Sequence, residues 1–277
     1  MAKGIGLIGN FKGKVGNMVG YKLTDSNSGN TQGIRVYQPI VKNPKTAAQA
    51  EQRAKLAPIN ATYRALKMVI DRGNEGLPYG NKSRLAWLKQ AFNAEHMPWF
   101  EKGKNIVAPV ACVLTKGSLP GVEFEVGEDV LSIDGDGITS ETSVNTIGAV
   151  STVLMASYPY LKAGDQITMV IISGAADVIQ GFATSFVLNT TSTEACTLFE
   201  AESGKLNFTG AVGCIAASVI VSREGDAGEH LRSNSSLVLP GGYAESAPYD
   251  AASKTAAIKS YQSSAAVNAD WAEESIQ

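Results

Sequence analysis

Histidine occurs only twice in the 277 residues and cysteine three times, and these scarcities exclude several chemistries. Cys112, Cys196 and Cys214 are odd in number, far apart and without a C-x-x-C pair, so a disulfide framework and a structural zinc site both lack their residues. Each lies in an apolar context (Ala111-Cys112-Val113, Ala195-Cys196-Thr197, Gly213-Cys214-Ile215), where a thiol serves as a small buried hydrophobe. A reducing compartment fits such cysteines. No run approaches the roughly 20 apolar residues of a membrane span, and the start, Met1-Ala2-Lys3-Gly4-Ile5-Gly6-Leu7-Ile8, is too brief for a secretory signal. The expectation is a soluble protein, made in a cytoplasm, with no membrane partner.

Enzymatic motifs are also scarce. Gly4-Ile5-Gly6-Leu7-Ile8-Gly9 matches the glycine pattern of dinucleotide sites, but only three residues precede it and no helix pattern follows. Ser132-Ile133-Asp134-Gly135-Asp136-Gly137 resembles the opening of a calcium loop, yet the bidentate Glu that should close it is missing and Glu141 arrives too early, so a β-turn is expected. His96 and His230 have no Ser or Cys nucleophile in a recognisable motif. His230 sits in a polar stretch, 222–233, that reads as a long solvated loop. The sequence therefore predicts no enzyme, no metal and no cofactor.

What the chain does have is a division of charge. The formal net charge of -2 conceals 17 Lys/Arg against 6 Asp/Glu over residues 1–105, and 7 against 20 over residues 106–277. A basic segment attracts polyanions by counterion release, and two oppositely charged halves also neutralise each other within one chain or between copies. The length exceeds the roughly 100 to 150 residues of a usual domain, so more than one part is expected.

Residues 1–42 are Gly-rich and basic, with two short strand-like patches around the polar turn Asp25-Ser26-Asn27-Ser28-Gly29-Asn30. They read as an arm with too few large apolar groups for a core of its own. Over 43–105 the pattern is helical: Asn43 as N-cap with Pro44 at the first position, then alanines at spacings of three and four from Ala47 to Ala65, with Pro58 expected to kink or split the helix. A second helix is predicted over 81–93, with Leu85, Leu88, Ala91 and Phe92 on its apolar face.

Residues 106–245 carry β-like runs at 106–115, 121–126, 130–133, 149–157, 166–172, 181–188, 195–200, 205–209 and 212–222, separated by polar turns. Many short strands without alternating helices predict an antiparallel sandwich or barrel. Residues 246–277 read as a C-terminal helix or tail, with Pro248 near its start. The fold class is thus α+β: a basic Gly-rich arm and a short helical hairpin, then an antiparallel β-sandwich-like domain and a C-terminal helix.

The candidate binding residues are the cations of the first half, Lys12, Lys14, Lys22, Arg35, Lys42, Lys45, Arg53 and Lys55. They recur along a Gly-rich path interleaved with Phe11, Tyr21 and Tyr37, as a sequence-tolerant single-stranded DNA binder uses charge and stacking. A solvated basic face opposite an acidic protein partner has the same pattern.

Three motifs occur in order: Gly13-Lys14-Val15-Gly16-Asn17-Met18-Val19-Gly20-Tyr21-Lys22, then Val41-Lys42-Asn43-Pro44-Lys45-Thr46-Ala47-Ala48-Gln49 with Gln52-Arg53-Ala54-Lys55, then Leu114-Thr115-Lys116-Gly117-Ser118-Leu119-Pro120. Over about residues 1–125 the chain so resembles an uncharacterised domain family of Bacteroidota and their small single-stranded DNA phages, the microviruses. That resemblance implies no catalytic residues. It implies a phage-encoded, non-enzymatic structural protein of the virion or host cytoplasm, homo-oligomeric or bound to capsid protein, with single-stranded DNA as the alternative partner.

Overall fold

The computed structural model describes residues 13–25, 29–37, 46–127, 129–174, 178–225 and 228–263. The chain divides into two compact units, Met1–Lys45 and Thr46–Gln277.

In the first unit, β1 (Gly13–Val15), β2 (Met18–Asp25) and β3 (Gly29–Val36) form an antiparallel meander in the order β1-β2-β3. The two strands expected around the polar turn are β2 and β3. The extra strand, β1, is joined to β2 through Gly16, whose φ of 57° suits a residue without a Cβ.

The second unit is α+β and layered. Its helices are α1 (Ala47–Ala65), α2 (Lys67–Ile70), α3 (Asn81–Ala91), α4 (Ile147–Ser157) and α5 (Ala251–Ser263). Its strands are β4 (Val113–Thr115), β5 (Phe124–Gly127), β6 (Val130–Asp134), β7 (Gln166–Gly174), β8 (Ile179–Val187), β9 (Phe199–Glu202), β10 (Lys205–Phe208), β11 (Cys214–Glu224), β12 (His230–Arg232) and β13 (Ser235–Ser236). Two four-stranded antiparallel sheets result, β5-β6-β10-β9 and β12-β11-β7-β8, beside a small β13-β4 pair.

The β12-β11-β7-β8 sheet is covered on both faces. Ile167, Met169 and Ile171 of β7, with Val219 and Val221 of β11, join a core with the β5-β6-β10-β9 sheet and with Val150 and Leu154 of α4. The alternate residues Val170, Ile172, Ala216 and Ile220 join a second core with Ile59 of α1, Ile70 of α2 and Trp87 of α3. Period-two alternation normally leaves one face to water; here both sets are apolar, so β7 and β11 read as continuous hydrophobic runs. A bulge in β11 between Cys214 and Ala216 disturbs the alternation, so Cys214 belongs to the first core and Ala216 to the second.

Several sequence expectations change. Residues 149–157, expected as a strand, belong to helix α4: the Thr146 side chain accepts from the Ala149 N–H at 3.2 Å as N-cap, and Ser151 and Thr152 donate to the carbonyls of Ile147 and Gly148. A short run rich in valine suits either element, and packing decides it. Gly148 lies so close to the 189–194 loop that a Cβ there would stand 2.4 Å from the Ser192 carbonyl.

The first long helix is capped by Thr46, which accepts from Gln49 N–H, rather than by Asn43; Asn43 and Pro44 lie outside the described residues. Pro58 does not split α1, and the break comes at Leu66, whose φ is -114°. Packing against the sheet outweighs the single hydrogen bond that proline removes. On α3 the buried face is Ser83, Trp87 and Ala91, and Leu85 is half exposed, because the large indole sets which face turns inward. Of 106–115, only Val113–Thr115 is strand. Stretch 222–233 is a hairpin rather than a loop, with Glu224 opposite His230. The Asp136-Gly137 turn forms as expected, with φ of 74° at Gly137.

Candidate partner-binding surfaces

The register of the N-terminal meander sorts its side chains. Lys14 pairs with Val19, and Val19 with Arg35, so the two cations flank one valine on a single face. Tyr37 follows on the same side, and the Lys14 ammonium stands 3.6 Å from the centre of its ring. That aromatic face is already occupied by a cation. The opposite face carries Met18, Ile34 and Val36, and Val36 is 73% exposed. The small sheet is therefore amphipathic, basic on one side and apolar on the other. Lys22 belongs to β2, opposite Gln32. Lys12, Lys42 and Lys45 lie outside the described residues.

Arg53 and Lys55 sit on α1 in the other unit and differ from each other. Arg53 is exposed. Lys55 is committed within the protein: Glu51 one turn earlier lies 3.6 Å away and also takes Lys254 of α5 at 3.2 Å, while both ammonium groups lie over the Trp99 ring. The Lys254 hydrogen bond, with the two positive charges, holds the Glu51 carboxyl below its usual range against a smaller opposing effect of burial. This cluster joins α1 to α5, so Lys55 is a structural residue in part.

The helices and the turn after α2 also expose cations absent from the candidate set. Arg64, Lys67, Arg72, Lys82 and Lys89 are exposed and form no ion pair among the described residues. For those on the helices the signal in the sequence was the helical period, which sets charges opposite the apolar face.

The polar groups best held in the second unit serve its architecture. Asp165 is 1% exposed and receives both Nε and an Nη of Arg223, at 2.6 and 2.7 Å, and the backbone N–H of Lys162. The same guanidinium donates to the Tyr160 carbonyl, which ties β11 to the segment preceding β7. Burial pushes the Glu75 carboxyl up, but hydrogen bonds from the Ser118 and Arg232 N–H groups and the Ser118 hydroxyl outweigh it, and the net shift is downward.

All three cysteines are buried and free, as expected. Burial pushes the Cys112 thiol up to about 12 and Cys214 up to about 11, which keeps both protonated and poorly nucleophilic. The Trp87 indole N–H is buried with no hydrogen-bond partner among the described residues, and its polarity opposes part of the rise at Cys112. His230 lies on β12 against the ring of Tyr79, 6.1 Å between centres. Among the described residues no three His, Cys, Asp or Glu side chains gather as a metal site, and no helix is long and apolar enough to cross a membrane.

No family model, no curated protein and no solved structure matches the chain.

Proposed function

We propose that this protein is a non-enzymatic, phage-type structural or virion-associated component, anchored through its basic N-terminal part to capsid protein or to other copies of itself. The observation that carries the reading is the segregation of charge: residues 1–45 hold seven Lys/Arg against one Asp, in a compact unit of their own, while the rest of the chain holds 17 against 25. A small sheet with a basic face and an exposed apolar face has the two attributes of an anchoring element, charge to steer and apolar area to hold. The resemblance of residues 1–125 to a microvirus-associated family adds weight. The site of action on this reading is the virion or the host cytoplasm.

Single-stranded DNA binding is the second reading, favoured by Lys14 and Arg35 on the basic face of the meander and by exposed helix cations that form no ion pair among the described residues. One pair of measurements separates the two. Virions are purified from the phage and probed for the chain, and the full-length protein is titrated with single-stranded DNA between about 50 and 200 mM salt, alone and as Lys14→Glu/Arg35→Glu. The chain is expected in the virions, and its absence there would overturn the structural reading. DNA binding that weakens steeply with salt and is lost in the double variant establishes genome contact instead.

A further inference from the structure

The four outer strands of the two sheets are not equally protected. β5 and β9 are four residues long and carry Glu125 and Glu200 with Glu202; β12 is three residues long and carries Arg232. Short length and charge are the usual devices that keep a sheet edge from pairing with another chain. β8 has neither. It runs nine residues, and residues 178–188 contain no charged side chain and no proline.

The hydrogen bonds show which backbone groups of β8 face outward. Gly174 N–H bonds to Gly213 on the β11 side, so Ile179, paired with Gly174, points away from β7, and its N–H reaches the Ile106 carbonyl at 3.3 Å. At the other end Leu188 N–H turns inward to Asp165 at 2.7 Å. By alternation Gly181, Ala183, Ser185 and Val187 present their N–H and C=O groups to the open side. Among the described residues these groups have no partner there. Exposed apolar side chains lie along the same edge: Phe182 is 54% exposed and Val187 51%.

We infer that β8 is a homodimerisation edge, pairing antiparallel with β8 of a second copy about a two-fold axis at Thr184 and joining the two four-stranded sheets into one. The occupant follows from the free groups. A two-fold axis at Thr184 sets Gly181 opposite Val187 and Ala183 opposite Ser185, which uses every free N–H and leaves the Ile179 bond to Ile106 intact. The side chains complement themselves in that register. Thr184 meets its own copy, Phe182 meets Phe186, and no like charges oppose each other; aromatic and threonine cross-strand pairs are favourable ones. The exposed Phe182 ring is thereby covered. A strand-to-strand contact of this length is small, which places the dimer in the weak, concentration-dependent class. The inference concerns the second unit and does not rest on the anchoring role of the first.

The test uses the full chain in sedimentation equilibrium over a concentration series. The wild type is expected to dimerise, and Ala183→Lys, a charge on an exposed small residue at the pairing edge, to raise the dissociation constant by about tenfold or more at unchanged circular dichroism. Hydrogen exchange of the unaltered protein gives a readout free of any variant: the amides of Gly181, Ala183, Ser185 and Val187 gain protection as concentration rises. Register is read by oxidative cross-linking. Thr184→Cys should link to itself, since directly opposed Cα atoms about 4.5 Å apart lie within disulfide range. Gln180→Cys should not, because the two copies of that residue stand eight positions apart, about 27 Å. A wild type that stays monomeric, edge amides indifferent to concentration, a dimer untouched by Ala183→Lys, or equal cross-linking at both cysteines would each overturn the assignment.

Discussion

Arg223 is the residue whose loss the fold should feel most directly among its charged groups. Its guanidinium is bidentate to a carboxylate that is 1% exposed, and removing it leaves that charge buried with only the Lys162 N–H. Replacement by leucine is expected to cost about 3 kcal/mol, the lower end for a broken buried pair because a fifth of the Arg223 side chain still reaches solvent. Urea unfolding measures it, and a loss indistinguishable from zero contradicts the structural role given to the pair. Glu75 gives the acid limb. Its folded pKa lies below the ordinary 4.5, so its contribution is present above pH 4.5 and is lost as pH falls through the folded value. In Glu75→Gln the decline of stability below pH 4.5 should be shallower than in the wild type, by the same unfolding measurement. Cys112 acts at the other end. Its ordinary pKa is 9.0 and burial lifts it to about 12, so unfolding is favoured as pH rises from 9.0 towards 12, where the unfolded thiol ionises and the folded one does not.

At the scale of elements, the alanine stripe on α1 and the polar turns between strands were legible because helix and strand periods differ and turn residues have fixed chemistry. The stripe marks the inner face: Ala50, Ala54, Ile59 and Thr62 are buried. The α4 segment was not legible, since Val150, Val153 and Leu154 suit either period over eleven residues and only its contact with the 189–194 loop settles the matter. Gly181 shows the same limit. In sequence it is one glycine in a β-like run, whereas in the fold a Cβ there would stand 2.3 Å from the Ala65 carbonyl, the end of α1. Gly181→Val should push α1 off the sheet and destabilise by about 1–3 kcal/mol, the range for overpacking; thermal unfolding tests this, and an unchanged Tm would show that α1 accommodates the side chain freely.

On the scale of the molecule, two kinds of contact are proposed, and salt distinguishes them. Contacts of the basic N-terminal unit with an acidic protein surface or with DNA weaken as ionic strength rises, because screening shortens from about 10 Å at 0.1 M to about 3 Å at 1 M. Pairing of the uncharged β8 edge is expected to be nearly indifferent to the same change. Sedimentation of the full chain at both salt concentrations should therefore show any larger assemblies dissolving while the dimer persists. Dimers that dissolve with salt would assign self-association to charge and remove the β8 edge from it.

The candidate cations were legible as residue types, but their grouping was not. Lys14 and Arg35 come together only through the register of three strands, while Lys55 is drawn into a cluster with Lys254, 199 positions further along the chain. By itself, the sequence determined the charge division, the antiparallel strands with their turns, the terminal helix and the buried, unpaired thiols, since these follow from composition, local period and spacing. Tertiary structure alone decided that one sheet is covered on both faces, that 147–157 is helical and that β8 is the outer strand of its sheet, with no strand beyond it among the described residues. Each of these depends on which distant segments meet, and no local pattern encodes that.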